Sequence, residues 1–161
     1  MPKYDKITSL TLKRKAERAY NVYLKQIEHL MGHNQTTMSS ELENTGRSLL
    51  GQRFRGVYPS DRIPKLNNHE MIIANLDKHG QPGSHWIALI EHNGKLHMYD
   101  SFGRDYKKII PNLPQTGNGK VIMTEDDAEQ DLNGSELNCG QRCLAVLLLY
   151  KKKGIKYVKW I

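Results

Sequence analysis

Two adjacent residues, Asn93 and Gly94, constrain this chain more than any other pair. They sit between two apolar runs within His85 to Phe102, and Asn-Gly in that setting is the strongest short-range signal for a β-hairpin. A two-residue loop there also fixes the pairing: His92 opposite Lys95, Leu89 opposite Met98, Ile87 opposite Asp100 and His85 opposite Phe102. His85, Ile87, Leu89, Met98, Asp100 and Phe102 then share one face. His85 and Asp100 become diagonal cross-strand neighbours, with Cβ atoms about 7 to 8 Å apart or closer.

That juxtaposition has chemical content. Asp100 is an acid in an otherwise apolar strand, which is costly unless it has a partner. A carboxylate that holds one imidazole nitrogen leaves the other free to take a proton, the task of a general base. Both residues lie at the outer ends of their strands, where loops from elsewhere can converge. The plainer alternative is an edge ion pair without catalysis. His92 and His97 read as bystanders on the hairpin, and His69 and His79 as surface histidines. No spacing of His, Cys or carboxylates argues for zinc or another metal.

A base needs something to activate. Residues 130 to 149 run from a polar, glycine-containing loop into Cys139-Gly140 and then into a continuous apolar stretch ending at Tyr150, which predicts a buried helix opening at Cys139. The unpaired N–H groups and dipole of a helix N-terminus favour thiolate over thiol. Cys143, one turn deeper, reads as a small core residue. Four residues apart in one helix, the two cysteines are expected to be free thiols, which suits a reducing, intracellular setting.

The 161 residues are expected to fold with one core, preceded by a basic arm: residues 1–38 as a helical arm and linker, residues 39–161 as the main domain. Leu12 to Met31 carries apolar residues at three-and-four spacing and predicts an amphipathic helix whose stripe packs on the domain or takes a partner. Ser39 or Ser40 can cap a second helix ending near Gly51. Gly56, Pro59 and Pro64 mark turns after it. Met71 to Leu76 reads as a strand buried on both faces, Lys120 to Met123 as a short strand, and the segment after Gly154 as a last strand or apolar tail.

The net charge of +7 is concentrated at the ends. Residues 1–33 hold seven basic and three acidic side chains, residues 151–161 hold five lysines and no acid, and the remainder holds 12 basic against 14 acidic. Basic ends on a near-neutral body suit a nucleic acid or another polyanion, and equally suit solvated lysines that aid solubility. No stretch approaches the length of an apolar membrane span, and Met-Pro-Lys-Tyr-Asp-Lys lacks the core of a signal peptide, so neither secretion nor membrane insertion is expected.

Taken together, His85-Trp86 opening an apolar strand, Asp100 between Met-Tyr and Ser-Phe-Gly, Gln130 ahead of the nucleophile, and Cys139-Gly140 opening an apolar helix resemble the adenovirus-type maturation proteases (adenain) and, more distantly, the SUMO proteases. Upstream, Ser-Ser-Glu-Leu, Leu50-Gly51, Phe54, Gly56-Val57-Tyr58, Asp61 and Pro64 extend the likeness, which covers roughly residues 39–150. It implies an α+β, papain-like or adenain-like fold, with a central, mostly antiparallel sheet packed against the helix that carries the nucleophile, and here an added N-terminal amphipathic helix.

For the site, the resemblance implies Cys139 as nucleophile, His85 as base, Asp100 as the group orienting His85, and Gln130 as oxyanion donor beside the Cys139 backbone N–H, with Asn133 or Asn138 as alternatives to Gln130. Trp86 would wall a narrow substrate cleft. The function implied is a monomeric cysteine endopeptidase of a small DNA virus or virophage-like element, active in the virion and the infected cell. It would cleave capsid or core precursors beside small residues, especially glycine, during maturation. No cofactor is required by the sequence, with DNA or a peptide as candidate activator and DNA held through the basic ends. The rivals are an isopeptidase acting on ubiquitin-like modifiers and a basic nucleic-acid-binding virion protein with a vestigial site.

Overall fold

The structure, a computed structural model, describes residues 3–76, 85–125 and 137–161, with side chains from residue 8 onward. In chain order these form α1 (Lys3–Met31), α2 (Ser39–Leu50), β1 (Phe54–Pro59), β2 (Met71–Asn75), β3 (Trp86–His92), β4 (Lys95–Tyr99), α3 (Tyr106–Ile109), β5 (Lys120–Met123), α4 (Cys139–Lys153) and α5 (Ile155–Val158). The hairpin is as its turn dictates. Asn93 and Gly94 both take positive φ, 51° and 77°, which matches the twist of the flanking strands. The ladder pairs His92 with Lys95, Leu89 with Met98 and Ala88 with Tyr99, the register expected from the two-residue loop.

The sheet runs β1-β2-β3-β4-β5. Its two inner pairings, β2 with β3 and β3 with β4, are antiparallel, and its two outer ones, β1 with β2 and β4 with β5, are parallel. The expectation of a mostly antiparallel sheet is therefore corrected to a mixed one. Parallel neighbours need a connection that returns the chain to its starting end. Residues 60–70 and 100–119 do this, the second carrying α3. Beta strand β1 was itself expected to be turns. A register shift between Phe54 and Val57, at Gly56 with φ 119°, interrupts the alternation by which a strand is read.

Both faces of the sheet are covered, so its central strands are apolar on both sides. On one face Met71, Ile73, Trp86, Ala88, Ile90 and Tyr99 meet the apolar side of α4 together with Ala16, Tyr20, Leu24 and Ile27 of α1. On the other, Ile72, Ala74, Ile87, Leu89, Leu96 and Met98 are covered by Ile63, Leu66, Ile110 and Leu113. The stripe of α1 thus packs into the core of the chain, and the helix begins nine residues earlier than Leu12, at Lys3. Ser39 and Ser40 are the first residues of α2 rather than its cap. Met38 holds that position, and its backbone N–H reaches Glu41 Oε1 at 3.4 Å. The segment after Gly154 forms the short helix α5, where a strand or tail was expected.

Candidate active site

The helix α4 opens at Cys139, and the reason lies in its second residue. A Cβ on Gly140 would collide with Thr37 Oγ1 and stand 2.9 Å from a methyl of Leu42, so a larger residue here would force the segment leading into α2 to shift from the mouth of α4. Gln141, fully buried, fastens the same contact by donating through Nε2 to the carbonyls of His33 (3.2 Å) and Gln35 (3.0 Å). Cys139 is thereby held half-exposed at a helix N-terminus, while Cys143 is buried in the core; both are free. Burial pushes the Cys143 thiol well up, with the charges of Cys139 and Asp100 adding to it, so this side chain is an inert core thiol.

His85 and Asp100 lie just past the last β3–β4 pair, where the ladder has stopped and side chains are no longer confined to one face. There His85 Nε2 is 2.6 Å from Asp100 Oδ1, with both residues buried. The other ring nitrogen, Nδ1, is not engaged by Asp100, and Cys139 lies near enough to the ring to interact with it electrostatically. Burial alone would lower the imidazole pKa. The hydrogen bond to Asp100, followed by the influence of Cys139, reverses this and raises it above 6.5, so the ring gains a preference for its protonated form.

Asp100 is the most heavily supported group of the site. Besides His85 it accepts from the backbone N–H of Phe102 at 3.1 Å (Oδ1), from the backbone N–H of Arg104 at 3.2 Å (Oδ2) and from Arg104 Nε at 2.8 Å (Oδ2). Burial would raise its pKa. Hydrogen bonds from His85 and Arg104, the charge of His85 and the Phe102 N–H outweigh burial and hold the carboxyl down at about 2. The cost of an acid at the end of an apolar strand is thus met by four donors. A partly exposed thiol at a helix N-terminus, an imidazole with a raised pKa and a fixed carboxylate are groups that a thiol-dependent acyl transfer can use.

Comparison with known proteins agrees at this level of chemistry. No family model matches the chain. Over 84 residues it is 47% identical to a protein of Acanthamoeba polyphaga mimivirus named "Putative thiol protease R355", the match covering 45% of this chain and 27% of that protein. The chain therefore spans little more than a quarter of that relative's length. The likeness supports a viral thiol protease.

The remaining expected residues divide. Gln130 and Asn133 lie outside the described residues, as does His79. Asn138 is turned toward α1: Nδ2 donates to Glu28 Oε1 at 3.0 Å and Oδ1 accepts from Arg142 Nε at 2.9 Å. Trp86 is 6% exposed in the core beneath α4, so little of it is available to wall a cleft. Two site residues were missed from the sequence. Phe102 stacks on the His85 ring at 4.3 Å between centroids and 12° between planes, and Arg104 both binds Asp100 and sits 4.8 Å over the Phe102 ring. The register that put Phe102 opposite His85 was the available signal for the first; Arg104, in a loop, had none. Among the described residues no cluster of His, Cys, Asp or Glu could hold a metal ion, and no helix is long and apolar enough to cross a membrane.

Proposed function

We propose that this chain is a cysteine endopeptidase of the adenain type that cleaves viral capsid or core precursor polypeptides beside small residues such as glycine during virion maturation. The observation that carries the reading is the junction of three elements: Cys139 at the mouth of α4, His85 close enough to feel its charge, and Asp100 held 2.6 Å from His85. In the reaction His85 takes the Cys139 proton through Nδ1, and the thiolate sulfur attacks the peptide carbonyl carbon to give a tetrahedral oxyanion. The raised imidazole pKa keeps that proton on the ring until it is delivered to the leaving amine, whose C–N bond breaks to leave an acyl-thioester. Water, deprotonated by the now neutral His85, releases the acid and restores the thiol. The backbone N–H of Cys139, at a helix N-terminus, is suited to the oxyanion, with Gln130 as its side-chain partner; one such donor lowers the barrier by about 3 kcal/mol.

The choice of an endopeptidase is tested by incubating the chain with a glycine-rich peptide library and, separately, with conjugates of ubiquitin-like modifiers. Cleavage of peptides, lost in Cys139→Ala with folding intact, is the expected result. Turnover of conjugates alone would replace it with the isopeptidase reading. A further part of the proposal is a polyanion, DNA in the first instance, as partner and activator. It is supported by the contact between α1 and α5, elements of the two basic ends, and by the exposure of Arg14, Arg18, Lys156 and Lys159. Association with DNA that weakens steeply with salt is the expected behaviour.

A further inference from the structure

We infer that Arg104 is a positioning residue for His85, acting through the Asp100 carboxylate and the Phe102 ring together as one clip. This rests on the reading of Cys139 and His85 as nucleophile and base, and it adds a residue that neither the sequence nor the comparison with the mimivirus protein assigns.

The geometry is closed. Asp100 grips the edge of the His85 ring through Oδ1, and Phe102 lies flat on its face. An imidazole held at one nitrogen alone can still swing about that hydrogen bond, and a ring pressed on one face alone can still rotate in its plane. Edge and face together leave the ring one orientation, with Nε2 on Asp100 and Nδ1 on the opposite side of the ring. Both restraints depend on a short loop, and Arg104 spans it. Its Nε binds Asp100 Oδ2, the oxygen that His85 does not use, and its guanidinium covers the Phe102 ring. The loop is tied from inside as well: the Gly103 N–H donates to the Asp100 carbonyl at 2.8 Å, with Gly103 at φ 68°.

Arginine suits this place for physical reasons. Its planar fork can donate in the plane of a carboxylate while presenting a flat face to an aromatic ring, which a lysine ammonium cannot do. The carboxylate keeps separate oxygens for His85 and Arg104, so the cation steadies the acid without displacing the base. The contacts of Arg104 at the site are to Asp100 and Phe102, so it acts on His85 through those groups.

The test uses the full chain and reads the rate at which iodoacetamide alkylates Cys139, located by mass spectrometry, alongside peptide cleavage and thermal melting. Arg104→Gln is expected to alkylate about tenfold more slowly while melting cooperatively, and Arg104→Lys to recover only part of that loss. In an Asp100→Asn background the same Arg104→Gln change is expected to cost little more, because the two residues act on one ring. Alkylation at the unaltered rate in Arg104→Gln would overturn the inference, as would full recovery by lysine or an undiminished effect in the Asp100→Asn background. Because alkylation needs the thiol and its base but no peptide, the two readings fail separately. A chain that cleaves no peptide, yet whose alkylation depends on Arg104, would sink the endopeptidase proposal and leave the clip standing.

Discussion

The two ends of the β3–β4 hairpin both gather histidines, and they treat them in opposite ways. At the open end His85 meets Asp100, and its pKa rises despite burial. At the turn end His69 and His92 converge on the Tyr150 hydroxyl, at 2.9 Å and 2.6 Å from their Nδ1 atoms, with His97 beyond them. No carboxylate pairs with an imidazole there among the described residues. Burial and then the charge of His69 lower the pKa of His92, while burial, followed by the charges of His92 and Lys95, takes His97 down to about 4. Same residue type, same hairpin, opposite sign: the partner, rather than the burial, decides whether an imidazole can serve as a base that holds its proton.

The comparison breaks most visibly by substitution. His85→Ala is expected to lower peptide cleavage by on the order of 10² to 10⁴-fold, the usual worth of a positioned general base, whereas His92→Ala should leave kcat/KM within about twofold. Steady-state kinetics on the two variants checks this, and comparable losses would mean that the two ends are not distinct.

The next largest difference is in acid stability. His97 is depressed in the folded chain, so its contribution is fully present above pH 6.5 and is lost as the pH falls from there toward about 4. Asp100 is also depressed, so the folded chain keeps its contribution until the pH drops below 3.8 and loses it on the way to about 2, an amount on the order of 2 kcal/mol. His85 is raised, so its contribution is complete below pH 6.5 and fades only as the pH climbs past its folded value. Melting curves between pH 7 and pH 2 should therefore show two successive losses in the parent chain. His97→Gln should reduce the first, to which the depressed His92 also contributes, and Asp100→Asn should remove the second.

The smallest effect concerns α1. Glu28 holds Asn138, the residue immediately before the nucleophile, and Arg142 ties Asn138 back and reaches Tyr20 Oη at 3.4 Å. Glu28→Ala is expected to slow turnover by about tenfold or less, since one such hydrogen bond contributes about 1 kcal/mol, and a loss comparable to His85→Ala would give α1 a direct part in the chemistry.

What could be read in advance follows the range of the interactions. The hairpin, its register and the meeting of His85 with Asp100 all descend from Asn93-Gly94, a local turn whose backbone demand is written in two residues. The opening of α4 at Cys139 was legible because polarity changes abruptly there. The strand β5 was read over its full range, Lys120 to Met123, but its parallel pairing and that of β1 were not, since nothing within a strand names a neighbour many residues away, and β1 was further disguised by its irregularity at Gly56. Phe102 and Arg104 escaped for another reason. A loop residue declares no period, and its role appears only when the chain folds it onto a ring or a carboxylate.

The most direct test is to trap the intermediate. The chain is mixed with an activated ester of a glycine-terminated peptide, quenched in acid within the first turnover, and digested for mass spectrometry. The account predicts an acyl group on Cys139, absent in His85→Ala and retained in His92→Ala. An acyl group on Cys143, or product formed at the full rate with no thioester on either cysteine, would contradict it.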